Sequence, residues 1–207
     1  KRGFINLPDS LNYDYALEHI RSNFGSNAKS VYSYGYNVPP SEHVNIIRPL
    51  LIENFQAISC ILGSDFLVNN ARFWRNLPIP DNEQYIDHYS NVFHQDTVVD
   101  QNMIQILILL SDVNVDDGPF EWYDKDQHST VHPFFKNRSD MSKYVDNKNI
   151  LPSPNKLIGT RGNYLLINTG YHYHRAGIPQ PDRERVIMSI GLFPKYTNIG
   201  IPSASLL

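Results

Sequence analysis

From about residue 65 onward the chain is a succession of short apolar or alternating segments divided by turn residues, with no intervening helix. The candidate strands are 66–74, 84–96 (with room for a bulge), 103–113, 120–123, 163–168 and 185–194. They are rich in β-branched and aromatic residues, which suit a pleated, half-buried surface. Asp116-Asp117-Gly118-Pro119 is a strong turn signal between two of them. Several short strands at close spacing argue for a sandwich or jelly roll. The stretch 136–154 is dominated by Asn, Asp, Ser and Lys and reads as an excursion between strands.

The first third reads differently. Pro8-Asp9-Ser10 can cap a helix running to about Phe24, with Leu11, Tyr15, Leu17 and Ile20 near one side. A second helical segment opens at Pro39-Pro40-Ser41-Glu42 and reaches Gly63. Val44, Ile47, Leu51, Phe55, Ile58 and Leu62 recur along it at three- and four-residue steps. Pro49 lies inside that pattern and should kink it or divide it in two. Between the helices, Tyr32, Tyr34 and Tyr36 alternate, which permits a strand or a loop closing over a site. The expectation is one domain, mainly β with N-terminal helices: a helical part over 1–64 packed on a β core over 65–207.

A formal net charge of −3 and the absence of any Lys/Arg block give no footing for nucleic acid. The longest apolar stretch, Ile106 to Leu110, is far too short to cross a bilayer. No signal peptide is visible, so a cytoplasmic setting is expected. The single cysteine, Cys60, excludes an internal disulfide and any Cys-based zinc site; its apolar surroundings predict a buried thiol.

The chemistry is concentrated at His94-Gln95-Asp96. On an extended strand, residues two apart point to one face, so His94 and Asp96 can reach a single metal ion. With 8 His and 15 Asp in 207 residues, chance alone yields about 0.6 such pairs, so the motif needs support from downstream. A third ligand is available at His174 or His172, inside Gly170-Tyr171-His172-Tyr173-His174-Arg175-Ala176-Gly177. Two imidazoles and one carboxylate suit Fe(II) and leave three coordination positions open. Arg185 follows at the start of the run 185–194, and its planar cationic fork suits a carboxylate better than a lysine would. Ser189 shares the face of Arg185 and reads either as a second donor to that carboxylate or as a plain core-edge serine.

The ordered set Phe93-His94-Gln95-Asp96, Ile104-Gln105-Ile106-Leu107-Ile108-Leu109-Leu110, Asp117-Gly118-Pro119-Phe120, Gly162-Asn163-Tyr164-Leu165-Leu166-Ile167-Asn168-Thr169, His174-Arg175-Ala176-Gly177 and Arg185 resembles the phytanoyl-CoA dioxygenase-like family of Fe(II)/2-oxoglutarate-dependent oxygenases. The resemblance runs from about Phe93 to Pro194 and implies a double-stranded β-helix core (jelly roll, cupin-like). It implies Fe(II) held by His94, Asp96 and His174, and 2-oxoglutarate anchored by Arg185. The implied reaction consumes O2, releases succinate and CO2, and most commonly hydroxylates a small or medium organic molecule. Gln105 is placed either to support the co-substrate or to face solvent, while Trp122, Tyr123 and His172 are candidates for lining the substrate entrance. The chain departs from the family at Asp124-Lys125-Asp126-Gln127-His128, where a Pro-Gly-Ser-His-like turn is common. It departs also at Gln105, often basic or aromatic, and at Ala176, often a small hydroxyl residue. No basic cluster points to a coenzyme A thioester. Two other readings keep the fold: a metal enzyme that does not use 2-oxoglutarate, and a non-catalytic jelly-roll ligand-binding protein.

Overall fold

The computed structural model describes residues 27–96, 102–135, 149–195 and 201–202; the helix expected before Phe24 and the polar stretch 136–148 lie outside them. The chain is mostly β, built on two antiparallel sheets with a jelly-roll arrangement. The larger sheet has the order β1(Asn27–Ser30), β2(Ser33–Asn37), β3(Phe66–Asn76), β9(Arg185–Pro194), β4(Ile104–Leu109), β7(Tyr164–Ile167), with β10(Ile201–Pro202) also pairing with β3. The smaller has the order β6(Asn155–Leu157), β5(Phe120–Trp122), β8(His174–Ala176). Leu107, Leu109 and Ile187 of the large sheet pack with Phe120 and Leu157 of the small one, closing the space between them.

Every residue of β9 is buried, because both faces of this central strand are covered. Val186, Met188, Ile190 and Leu192 join the main core, so Arg185, Ile187, Ser189 and Gly191 face the other sheet. The same division holds on β4, with Ile104, Ile106 and Ile108 in the core and Gln105 and Leu107 opposite. On β3 the phase changes. Val68 pairs with Leu192 and Asn70 with Gly191, so one extra residue is inserted at this point. That bulge puts Phe66, Val68, Ala71 and Phe73 on the core side and turns Asn70, Arg72, Trp74 and Asn76 toward the small sheet.

The outer face of the large sheet is covered by three short helices, α1(Pro40–Ile46), α2(Arg48–Glu53) and α3(Phe55–Leu62). Pro49 stands in the first turn of α2, where its missing N–H costs nothing, and the periodic segment is divided there as the sequence predicts. Ile46, Ile47, Leu50, Leu51 and Ile58 form the stripe that meets the sheet. Gly63 ends α3 in the left-handed conformation at φ 69°. Cys60 is exposed rather than buried: it lies off the stripe that Ile58 continues, so an apolar neighbourhood in sequence did not become one in space.

Two further expectations are corrected. Residues 84–93 form no strand, and only His94 makes a ladder bridge. The reason is local. Asn91 Oδ1 accepts from the amides of His88 (2.8 Å) and Tyr89 (3.3 Å), and its amide nitrogen donates to the carbonyls of Gln84 (3.2 Å) and Ile86 (2.9 Å). These bonds hold a compact turn that competes with an extended chain. The second correction is α4(His128–Phe135), a helix in the part of the chain after residue 65 where none was expected; it buries Val131 and Phe135. Among the described residues no helix is long and apolar enough to cross a membrane.

Candidate active site

His94 and His174 oppose each other in an isolated antiparallel bridge, His94 N donating to His174 O (3.0 Å) and His174 N to His94 O (2.9 Å). Directly opposed residues send their side chains to one side. Their predecessors, Phe93 and Tyr173, point the other way, into a core with Tyr123, Val131 and Phe135. The Phe93 ring lies 4.9 Å from both Tyr123 and Phe135. Burial of these aromatics on one side therefore turns both imidazoles toward the space between the sheets.

Each ring is then fixed by a backbone carbonyl. His94 Nδ1 donates to Val92 O (2.7 Å) and His174 Nδ1 to His172 O (3.0 Å). A carbonyl can only accept, so Nδ1 carries the proton and Nε2 presents its lone pair. Both Nε2 atoms converge on Asp96 Oδ1, at 3.4 Å from His94 and 3.8 Å from His174. Asp96 is itself held at two points: its amide donates to Thr169 O (2.9 Å), and its Oδ2 accepts from Gln105 Nε2 (3.2 Å). Burial pushes its carboxyl upward, but when the imidazoles are protonated at Nε2 as well as Nδ1, the hydrogen bond from His94 and the charge of His174 outweigh that and hold it well below the usual carboxylate range. The donor atoms of His94, Asp96 and His174 all lie within 4.8 Å of one another, and this is the only such group among the described residues. Neutral, pre-oriented imidazoles with an ionised carboxylate are a donor set that fits Fe(II).

These three residues sit at a cavity of about 160 Å³. Its walls come from β3 (Asn70, Arg72, Trp74, Asn76), β9 (Arg185, Ile187, Ser189), β4 (Gln105, Leu107) and the small sheet (Phe120, Ala176), with Tyr89 and Ser90 completing it. Arg185 is only 2 % exposed. Its guanidinium donates to Gly118 O (2.5 Å) and Asn76 Oδ1 (2.8 Å), while its Nε is buried without a partner. No carboxylate pairs with it among the described residues; Glu121, the nearest influence of that sign, is taken by Arg175 (2.7 Å) and Lys156 (3.4 Å). Burial pulls the Arg185 pKa down to about 10, against the raising effect of Tyr89 and Glu121. A cation so poorly solvated and unpaired fits the free carboxylate of a dicarboxylic co-substrate.

The structure thus brings His94, Asp96, His174, Gln105, Arg185 and Ser189 to one cavity. Ser189 Oγ accepts from Trp74 Nε1 (3.3 Å). His172 does not join the cluster: its Nδ1 donates to Tyr123 O (2.9 Å). Trp122 turns its Nε1 to Asp124 Oδ1 (3.1 Å), and Tyr123 is in the aromatic core; none of these three lines the cavity. Sequence reasoning missed Asn70, Arg72, Trp74, Asn76, Tyr89 and Phe120. The signal for the β3 residues was available as a slip in phase, since Val68 and Ala71 are three apart yet both apolar.

The same architecture occurs in solved structures. HygX from Streptomyces hygroscopicus, with nickel, 2-oxoglutarate and hygromycin B bound, superposes with a TM-score of 0.60 at 12% identity, over 92% of this chain and 82% of that one. The non-heme α-ketoglutarate-dependent epimerase SnoN of nogalamycin biosynthesis gives 0.55 at 12% identity, over 88% and 71%. The carbocyclase SnoK of the same biosynthesis gives 0.54 at 12% identity, over 91% and 76%. The chain shares its fold with these three proteins. No protein-family model and no curated protein sequence matches the chain.

Proposed function

We propose that this protein is an Fe(II)- and 2-oxoglutarate-dependent oxygenase acting on a small or medium organic molecule, with hydroxylation as its outcome. The observation that carries the reading is the coincidence, in one cavity, of a two-histidine, one-carboxylate cluster with a buried arginine that has no carboxylate partner among the described residues. His94, Asp96 and His174 would hold the metal, and Arg185 would take the distal carboxylate of 2-oxoglutarate. Bound iron with its co-substrate and O2 supplies the oxidising chemistry. The chain's own residues orient and shield it. The carbonyls of Val92 and His172 fix the histidine tautomers, Gln105 aims Asp96, and Leu107, Phe120 and Ile187 keep the cavity wall apolar. Asp96 also argues against halogenation, which requires its coordination position for halide. The structures of similar fold hold hygromycin B in HygX and nogalamycin RO in SnoN, in keeping with an organic substrate of that size range.

The test is an anaerobic titration of metal-free protein with Fe(II) and then 2-oxoglutarate, followed by visible absorption. A charge-transfer band that needs both additions is expected. Stoichiometric iron binding without a band would favour a metal enzyme that does not use 2-oxoglutarate. No specific iron binding, with His94→Ala and Asp96→Ala indistinguishable from the parent, would sink the reading.

A further inference from the structure

The cavity holds a second cation that the proposed chemistry does not use. Arg72 projects from β3 into the same space as the metal cluster. Its side chain makes no hydrogen bond or ion pair with any described residue, and its Nε is buried without a partner. Its position is distinct from that of Arg185. Arg72 is paired with Ser189 across β3 and β9, whereas Arg185 is paired with Asn76 four residues farther along, about 13 Å by strand rise. Arg72 is therefore much nearer the level of the Gln105 and Gly191 pair, of which Gln105 donates to Asp96. Beside it on the same face is Asn70, whose amide lies over Gly191, where an added Cβ would come within 3.2 Å of it.

Charge arithmetic says what is missing. Among the described residues lining the cavity, Asp96 is the one acid, and Arg72 and Arg185 are the two arginines. With a divalent ion the lining sums to three positive charges. A 2-oxoglutarate dianion removes two, and one remains, on a half-buried guanidinium that no described residue answers.

We propose that Arg72, with the Asn70 amide beside it, is a recognition site for a carboxylate group on the primary substrate, which is accordingly an organic acid carrying one negative charge. The inference rests on the Fe(II)/2-oxoglutarate reading. The carboxylate of the substrate accepts from the Arg72 guanidinium, which brings its carbon skeleton over the metal while Arg185 keeps the co-substrate.

The experiment uses the full chain loaded with Ni(II) and 2-oxoglutarate, in which no turnover occurs. The probes are acetate, butyrate, phenylacetate and benzoate, each measured against its own carboxamide by calorimetry and ligand-observed NMR. At least one acid should bind 10-fold or more tighter than its amide, on the order of 1.4 kcal/mol or more. In Arg72→Gln that preference should vanish, while the affinity for 2-oxoglutarate changes by less than about 3-fold. Arg72→Lys should restore part of the preference, which a loss of folding would not allow. Two results overturn the proposal: no acid preference anywhere in the panel, or a 10-fold or larger loss of 2-oxoglutarate affinity in Arg72→Gln, which would make Arg72 a co-substrate anchor. Failure of wild-type protein to bind 2-oxoglutarate at all would instead overturn the reading beneath it.

Discussion

Arg185→Met separates what this residue does for folding from what it does for function. The wild-type guanidinium is 2 % exposed and has no carboxylate partner among the described residues. Its pKa is brought from 12.5 down to about 10, which corresponds to about 3 kcal/mol of free energy working against the buried cation. Methionine removes that cost and fills much of the same volume. It also leaves Gly118 O and Asn76 Oδ1 without their donor, at about 1–3 kcal/mol each. The two contributions largely offset each other, so urea unfolding of the metal-free variant should give a stability within about 3 kcal/mol of the parent. Binding of 2-oxoglutarate to Ni(II)-loaded protein should behave otherwise. Truncating one partner of a buried, hydrogen-bonded charge pair costs about 2–5 kcal/mol, or roughly 30- to several-thousand-fold in Kd. The expected result is a folded protein of near-native stability that has lost its co-substrate. A variant destabilised by more than about 4 kcal/mol, yet binding 2-oxoglutarate with parental affinity, would refute the reasoning. Arg185 would then be a staple between β3, β9 and the Gly118 turn and no anchor.

Gln105→Leu removes the donor to Asp96 Oδ2 and should weaken metal binding about 10- to 100-fold in a chelator competition. Unchanged affinity would mean that the Thr169 carbonyl alone orients Asp96. Gly118→Ala should cost at least about 2 kcal/mol in urea unfolding. Gly118 has φ +67°, and a Cβ there would stand 2.4 Å from Pro179 N; a loss under about 0.5 kcal/mol would contradict this packing. His43 is buried, with Nε2 bonded to Val38 O (3.0 Å) and Nδ1 without a partner, and burial holds its pKa below the ordinary value. The unfolded chain therefore binds a proton that the folded one refuses, and stability falls as pH drops through about 6.5 toward the lower folded pKa. His43→Gln keeps a donor for Val38 without titrating, so its stability should fall less than that of the parent between about pH 7 and 5. Parallel profiles for the two proteins would show that His43 is not the group responsible.

What the residues announced on their own were the features governed by short-range physics. The strands β4 and β9, the division of the helical segment at Pro49 and the turn at Gly118 all follow from local side-chain type and backbone stereochemistry. The pairing of His94 with Asp96 is visible because residues two apart share a face wherever the chain is extended. His174 and Arg185 were legible as candidates, by type and order.

The tertiary structure decided what depends on competition between distant groups. His174 rather than His172 enters the cavity because the bridge to His94 is made at residue 174, whereas His172 lies in the bend before that strand with its Nδ1 held by Tyr123 O. Asn91 turns the segment before His94 into a knot of side-chain bonds, where period alone suggested a strand. Arg72 faces the His94, Asp96 and His174 cluster only because a bulge after Val68 shifts β3 by one residue. A period of two carries no memory of which face is inside: one inserted residue reverses every side chain beyond it, and only the opposing sheet determines which side is the site.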